Sequence, residues 1–140
     1  MAIAGPIIVV EDDVDDQELI GQVLNELNVE NELIYFDKCE EAFDFLVSTD
    51  KKPFIIICDI NLPRMNGLEL KMVIDNDEEL RQKSIPFIFF STAASKEMVT
   101  RAYSKMSIQG FFQKSTNLTD LRETLRQIIN YWKLCRHPES

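Results

Sequence analysis

The sequence contains little histidine, little cysteine and too few basic residues to balance its acidic ones. Its 140 residues include one histidine and three cysteines, and 15 lysines and arginines face 24 aspartates and glutamates. The net charge of -9 argues against nucleic acid as a direct partner, because phosphate backbones are bound by basic surfaces. Cys39, Cys58 and Cys135 are odd in number and widely spaced, so they indicate neither a cysteine metal motif nor a disulfide framework.

The sequence also lacks the segments that direct a chain into or across a membrane. Residues 1–6 have neither the basic start nor the long apolar stretch of a signal peptide, and no apolar run could span a bilayer. A hydrophobic fraction of 45% is sufficient for an ordinary folded core. We therefore expect one domain over residues 1–140, with no output domain, no membrane contact and a cytoplasmic location.

The most informative segment that is present is an apolar run of strand length, residues 54–58, which ends at Asp59. Similar short runs of β-branched and aromatic residues occur at 7–10, 33–36, 87–90 and 111–112. Apolar residues at helical spacing follow each of them, although residues 75–84 are polar and are expected to form a loop or a frayed helix end. Asp37 and Glu40 have the spacing of a capping box at the start of the second helix.

Strands that alternate with helices predict a parallel sheet covered by helices on both faces. The expected architecture is an α/β, doubly wound, five-stranded sheet of order 2-1-3-4-5, which is the flavodoxin-like arrangement. All carboxyl ends of the strands then lie on one edge of the sheet, where open α/β folds place their functional groups.

Polar residues follow four of the predicted strands, and this topology would bring them together. Glu11 and Asp12 follow the first strand, Asp59 the third, Ser91 the fourth and Lys114 the fifth. Neighbouring carboxylates repel each other unless a cation neutralises them, and oxygen ligands favour Mg2+. Such a site suits phosphoryl transfer to an aspartate, with the lysine and the serine binding phosphoryl oxygens. Each residue alone also fits a helix-start, turn or solvent-exposed position, but their combination favours a site.

The chain resembles a response-regulator receiver domain of two-component signalling from residue 7 to about residue 132. The motifs that carry the resemblance are Val9-Val10-Glu11-Asp12, Cys58-Asp59-Ile60-Asn61-Leu62-Pro63 with Gly67, Phe90-Ser91, and Lys114 after Phe111-Phe112. Thr92 replaces a residue that is commonly small in the family, and Ser115 replaces a common cis-proline. Both departures are similar to a subgroup of small receivers that includes the cyanobacterial phytochrome response regulators.

The resemblance implies that Asp59 accepts a phosphoryl group from a phosphohistidine of a sensor histidine kinase or a histidine phosphotransfer protein. It also implies that Asp12 and Asp59 bind Mg2+ directly, that the backbone carbonyl of Asn61 is a third ligand, and that Glu11 acts through water.

The same resemblance assigns the switch hydroxyl to Ser91 and the aromatic residue that turns inward with it to Phe111. Lys114 matches the invariant lysine of the family.

Signalling would then proceed by protein–protein binding to a downstream target that the sequence does not identify. The expected switching face consists of the fourth helix, the fifth strand and the final helix, with homodimerisation through it as a hypothesis. Apolar residues at candidate contact positions are Met98, Tyr103, Met106, Tyr131 and Trp132. Core packing is the preferred interpretation for the two methionines, whereas Trp132 is preferred as a contact residue.

Two other functions fit the same fold. A binding module that is never phosphorylated would keep the site without using it. A phosphohydrolase with an aspartyl intermediate ranks last, because Asn61 occupies the position where such enzymes need a second acid. We expect a phosphoacceptor with slow self-dephosphorylation and not a true enzyme.

Overall fold

A computed structural model describes residues 4–91, 96–105, 108–115 and 117–136 of the chain. Thr92 and Met106, two of the residues discussed above, lie outside these ranges. The described elements, in chain order, are β1 (Ile7–Val10), α1 (Val14–Glu26), β2 (Leu33–Phe36), α2 (Cys39–Ser48), β3 (Ile55–Cys58), α3 (Gly67–Asn76), α4 (Glu78–Lys83), β4 (Phe87–Ser91), α5 (Lys96–Lys105), β5 (Gly110–Gln113) and α6 (Leu118–Leu134).

The five strands form one parallel sheet in the order β2-β1-β3-β4-β5, which confirms the predicted topology. The residues of β1, β3 and β4 are buried, because these central strands are covered on both faces. None of the described helices combines the length and the apolar character that a membrane span requires.

Alternate residues along each strand supply two separate cores. Ile8 and Val10 of β1 belong to a cluster with the apolar sides of α2, α3, α4 and α5. Ile7 and Val9 belong to a second cluster, formed with α1 and α6. The helices therefore cover both faces of the sheet, as expected for a doubly wound fold.

Side-chain caps determine where several helices begin. Asp13 caps α1 by accepting a hydrogen bond from the backbone N–H of Asp16 at 3.1 Å. Asn66 and Glu69 form a capping box at the start of α3, and Asn117 caps α6. All three helices therefore start on the carboxyl side of the sheet, after the strands β1, β3 and β5, whose ends carry polar residues.

Two local predictions were wrong. Residues 78–83 form the short helix α4, because Asp77 caps it by accepting from the Leu80 N–H at 3.0 Å and Leu80 inserts into the core. The predicted capping box at Asp37 and Glu40 does not form. The N-cap of α2 is Lys38, whose side chain makes no capping hydrogen bond.

Candidate phosphoacceptor and metal site

The carboxylates that follow β1 and β3 converge at the carboxyl edge of the sheet. The register pairs Val10 with Cys58, and the backbone N–H of Asp59 donates to the carbonyl oxygen of Val10 at 3.0 Å. The next residues on the two strands are therefore neighbours. One carboxylate oxygen from each of Glu11, Asp12 and Asp59 lies within 4.8 Å of the other two. The predicted convergence of these three side chains is thus present.

Asp59 is held by both its side chain and its backbone. Its Oδ1 accepts a hydrogen bond from the Ile60 N–H at 2.7 Å, and Oδ2 lies 3.9 Å from the Nζ of Lys114. Its side chain is 11% exposed, so that it can be reached from solvent at the edge of the site. Gly67 packs against the other side of this segment, because a Cβ at that position would lie 2.3 Å from the carbonyl oxygen of Asp59.

Lys114 is a buried cation held by two carboxylates. Its Nζ donates to Glu11 and to Oδ2 of Asp16, the latter at 2.9 Å. Its backbone N–H donates to the carbonyl oxygen of Ser91 at 2.9 Å, which fixes the start of the side chain. Burial by itself would lower the pKa of Lys114, but the hydrogen bonds to Glu11 and Asp16 outweigh burial and raise the pKa above its ordinary value.

Glu11 is the most buried carboxylate of the site, with 2% of its surface exposed. Burial raises its pKa to about 7, and the hydrogen bond from Lys114 offsets only part of this effect. The charge of Asp59 raises the pKa further. The site therefore concentrates more negative charge than Lys114 neutralises, which is a condition that favours binding of a further cation.

Ser91 and Phe111 lie on β4 and β5 at the same edge. Ser91 is buried, and its Oγ has no hydrogen-bond partner within the part of the chain that the structure describes. Phe111 is half-buried and its ring centroid lies 5.5 Å from that of Phe89. The predicted switch residues thus combine an unpaired buried hydroxyl with an aromatic ring that already packs into the core cluster.

Asn61 occupies an exposed position on the loop between β3 and α3. The neighbouring Ile60 carbonyl accepts hydrogen bonds from the Leu62 N–H at 2.9 Å and the Gly67 N–H at 3.0 Å, and these contacts fix the course of the loop. The use of the Asn61 carbonyl as a metal ligand stays a prediction.

Asp16 is the residue at this site that the sequence analysis missed. It lies in the first turn of α1 and bonds Lys114, which is 98 positions away in the sequence. Acidic residues in a first helical turn are common for electrostatic reasons alone, so nothing distinguishes Asp16 from Asp15 in the sequence. A usable signal was that α1 starts at the same sheet edge as the site, which brings one side of its first turn close to Lys114.

A family model described as response regulator receiver domain matches residues 7–126 of the chain. The chain belongs to the response regulator receiver domain family. This receiver is 29% identical over 131 residues to the response regulator Rcp1 of Synechocystis sp., a match that covers 90% of this chain and 87% of Rcp1. It is also 29% identical over 124 residues to the chemotaxis protein CheY1 of Helicobacter pylori, covering 88% of this chain and 95% of CheY1.

Two solved structures of response regulators are similar to this receiver over nearly its whole length. The phosphorylated cyanobacterial phytochrome response regulator RcpA has a TM-score of 0.85 and 27% identity, covering 95% of this chain and 97% of RcpA. The Mn2+-bound form of Rcp1 has a TM-score of 0.80 and 27% identity, covering 94% of this chain and 97% of Rcp1.

Membership in this family defines the general class of activity. Receiver domains are signalling phosphoacceptors and not true enzymes, they bind divalent metal ions, and they interact with histidine kinases or phosphotransfer proteins. The acidic cluster of Glu11, Asp12 and Asp59 provides oxygen donors that fit a divalent metal ion.

Proposed function

We propose that this receiver accepts a phosphoryl group on Asp59 from a phosphohistidine of a sensor histidine kinase or a histidine phosphotransfer protein. In this transfer, an oxygen of Asp59 forms a bond to phosphorus while the bond from phosphorus to the histidine nitrogen breaks, and the imidazole takes up a proton. The observation that carries the proposal is the convergence of three carboxylates beside the ammonium group of Lys114. Of these three carboxylates, Asp59 is the one that is both accessible from solvent and close to Lys114, with no hydrogen bond to it among the described residues.

The transfer is proposed to depend on Mg2+. Asp12 and Asp59 would hold the ion directly, the backbone carbonyl of Asn61 would be a third ligand, and Glu11 would act through water. The all-oxygen donor set suits Mg2+, which prefers one or two carboxylates and retains several waters. When bound, the ion would neutralise the carboxylate charge that would otherwise repel a phosphoryl donor.

Lys114 and Ser91 would bind the transferred group. The 3.9 Å between the Nζ of Lys114 and Oδ2 of Asp59 is too long for a hydrogen bond, but a phosphoryl oxygen on Asp59 could lie between them. The Oγ of Ser91, which has no hydrogen-bond partner among the described residues, would gain one in another phosphoryl oxygen. These new contacts would favour one of two conformations, with Phe111 moving together with Ser91.

The receiver is proposed to signal by phosphorylation-dependent binding through the face formed by α5, β5 and α6. Tyr103 and Tyr131 are exposed on this face. Trp132 is half-buried, contacts Tyr131 edge-to-face at a centroid distance of 5.2 Å and packs against the core, so it contributes only part of its surface. Met98 packs against the core, in agreement with the preferred interpretation. The cytoplasmic location stays a prediction.

Homodimerisation through this face is a part of the proposal that can be tested separately. Sedimentation velocity of the free protein and of the protein with Mg2+ and beryllofluoride, which mimics the phosphoryl group, would report the oligomeric state. A monomer under both conditions would exclude the dimer.

The phosphoacceptor proposal is tested by incubating the protein with acetyl phosphate and Mg2+ and measuring its intact mass. We expect one phosphoryl adduct, which is lost in Asp59→Asn and in the presence of EDTA. Slow loss of the adduct after removal of acetyl phosphate would correspond to the expected self-dephosphorylation. No adduct from acetyl phosphate or from any phosphohistidine donor, together with normal Mg2+ binding, would instead favour the binding module that is never phosphorylated.

A further inference from the structure

The ammonium group of Lys114 has three N–H donors, and the residues that the structure describes provide partners for two of them. One donates to Glu11 and another to Oδ2 of Asp16 at 2.9 Å. Asp59 is the next acceptor, with its Oδ2 at 3.9 Å. Because the donors of an ammonium group are tetrahedral, fixing two of them limits the directions that the third can take.

We propose that Asp16 is a positioning residue that holds Lys114 so that its remaining N–H faces the phosphoryl group on Asp59. This inference rests on the proposed phosphoacceptor function and adds a residue to it. Asp16 does not contact the reacting atoms, so its effect on phosphorylation must pass through Lys114.

Both ends of the contact between Asp16 and Lys114 are anchored in the fold. The backbone N–H of Asp16 donates to Asp13 at 3.1 Å, in the capped first turn of α1. The backbone N–H of Lys114 donates to Ser91 at 2.9 Å, at the end of β4. The side chain of Lys114 is 4% exposed, whereas that of Asp16 is 34% exposed. Little freedom remains for the ammonium group once Asp16 binds it.

Glu11 cannot hold Lys114 in position alone, because its carboxylate also takes part in the acidic cluster. It accepts a hydrogen bond from Lys114, and it is also one of the three carboxylates that converge within 4.8 Å. A cation bound by this acidic cluster would compete with Lys114 for the charge of Glu11. Asp16 is not a member of the cluster, so it can keep its contact with Lys114 when a cation binds.

The distance from Lys114 to Asp59 supports positioning over direct neutralisation. At 3.9 Å, Lys114 makes no hydrogen bond to Oδ2 of Asp59, and this oxygen keeps its capacity to attack phosphorus. Preorganised charges of this kind accelerate a reaction because they need no reorganisation when the transition state forms.

The alternative explanation for Asp16 is that it is only an acidic residue favoured at the start of a helix. Asp15 offers a matched control, since it has the same charge in the same first turn of α1 and is exposed. Asp15 forms no ion pair with Lys114 within the ranges that the structure covers. Asp15→Asn and Asp16→Asn therefore change the net charge equally but differ in their effect on Lys114.

The experiment measures the rate of phosphoryl adduct formation from acetyl phosphate at saturating Mg2+ for these variants. We expect phosphorylation of Asp16→Asn to be roughly tenfold slower than that of the unaltered protein. This change corresponds to about 1.4 kcal/mol less stabilisation of the transition state by a correctly oriented Lys114. Asp15→Asn should stay within about twofold, and Asp16→Glu should recover part of the rate, because it restores the carboxylate. The Mg2+ affinity of each variant is measured separately, so that a weaker metal site is not mistaken for a misplaced lysine.

A double-mutant cycle separates positioning of Lys114 from a general structural role. If Asp16 acts through Lys114, then Asp16→Asn should cause no further loss of rate in a Lys114→Ala background. An equal loss in both backgrounds would overturn the inference, as would an Asp16→Asn rate that equals that of Asp15→Asn or exceeds that of the unaltered protein. Failure of the proposed function is distinguishable, because the unaltered protein would then form no adduct.

Discussion

Two glycine positions provide a matched test of how closely α3 packs against the segment that carries Asp59. A Cβ on Gly67 would lie 2.3 Å from the carbonyl oxygen of Asp59 and 3.1 Å from the Cα of Ile60. Both are backbone atoms, so no side-chain rotation relieves the overlap. A Cβ on Gly21 would lie 2.4 Å from the hydroxyl oxygen of Tyr35, which is the far end of an exposed side chain.

Opposing contributions determine the free energy of unfolding of the two alanine variants. Overpacking against backbone costs about 1–3 kcal/mol, and the hydrogen bond from the Gly67 N–H to Ile60, at 3.0 Å, hinders movement away from the contact. Replacing glycine by alanine within a helix gains up to about 1 kcal/mol. Gly21 is in the interior of α1 and receives this gain, whereas Gly67 is the first residue of α3 and receives less. We expect Gly67→Ala to lower the free energy of unfolding by about 2 kcal/mol. Gly21→Ala should change it by less than about 1 kcal/mol.

Urea unfolding of both variants at the same pH measures this difference directly. The rate of acetyl phosphate labelling gives a second result, because the overlap at Gly67 displaces the backbone of Asp59 while the overlap at Gly21 does not. We expect slower labelling in Gly67→Ala only. A Gly67→Ala protein that is as stable as Gly21→Ala and is labelled at the normal rate would refute the reasoning.

Two further predictions concern buried polar side chains. Lys71 is buried, pairs with Asp75 at 2.7 Å and lies 5.4 Å from the centre of the Phe87 ring. Asp75→Asn should lower the free energy of unfolding by about 1–3 kcal/mol in urea titrations, whereas Lys71→Met should be close to neutral; equal losses would contradict this. Ser91→Ala removes a buried hydroxyl without a partner in the described chain, so the unmodified protein should be as stable or about 1 kcal/mol more stable. The same variant should bind beryllofluoride more weakly, and unchanged binding would argue against a contact from Ser91.

The sheet and the acidic cluster could be predicted because both follow from topology. Once the strands alternate with helices, right-handed crossovers make them parallel and place every carboxyl end on one edge. The residues after β1 and β3 then become neighbours whatever the loops do. For this reason, Glu11, Asp12 and Asp59 converge as expected without any knowledge of side-chain packing.

The features that the sequence did not reveal depend on packing between elements. The contact from Asp16 to Lys114 requires the rotation of α1 about its axis, which is determined by its packing against β1 and α6. The helix α4 contains one apolar residue, Leu80, so periodicity could not detect it, although its remaining residues are good helix formers. Lys71 is buried because Asp75, one turn later in the sequence, provides a partner for its charge.

The charges at the site indicate the order in which its ligands can bind. The site contains the four carboxylates of Glu11, Asp12, Asp16 and Asp59, and all of them except Asp12 form ion pairs with Lys114. Burial already holds the pKa of Glu11 at about 7, so this charge is poorly tolerated even without a phosphoryl group. A phosphoryl group adds roughly -1.5 to -2 at neutral pH. Lys114 compensates for only part of this addition, because two of its three N–H donors bind Glu11 and Asp16. If the proposed function is correct, we expect a divalent cation to bind before phosphoryl transfer. Asp16 would then keep Lys114 in place while that cation attracts the carboxylate of Glu11.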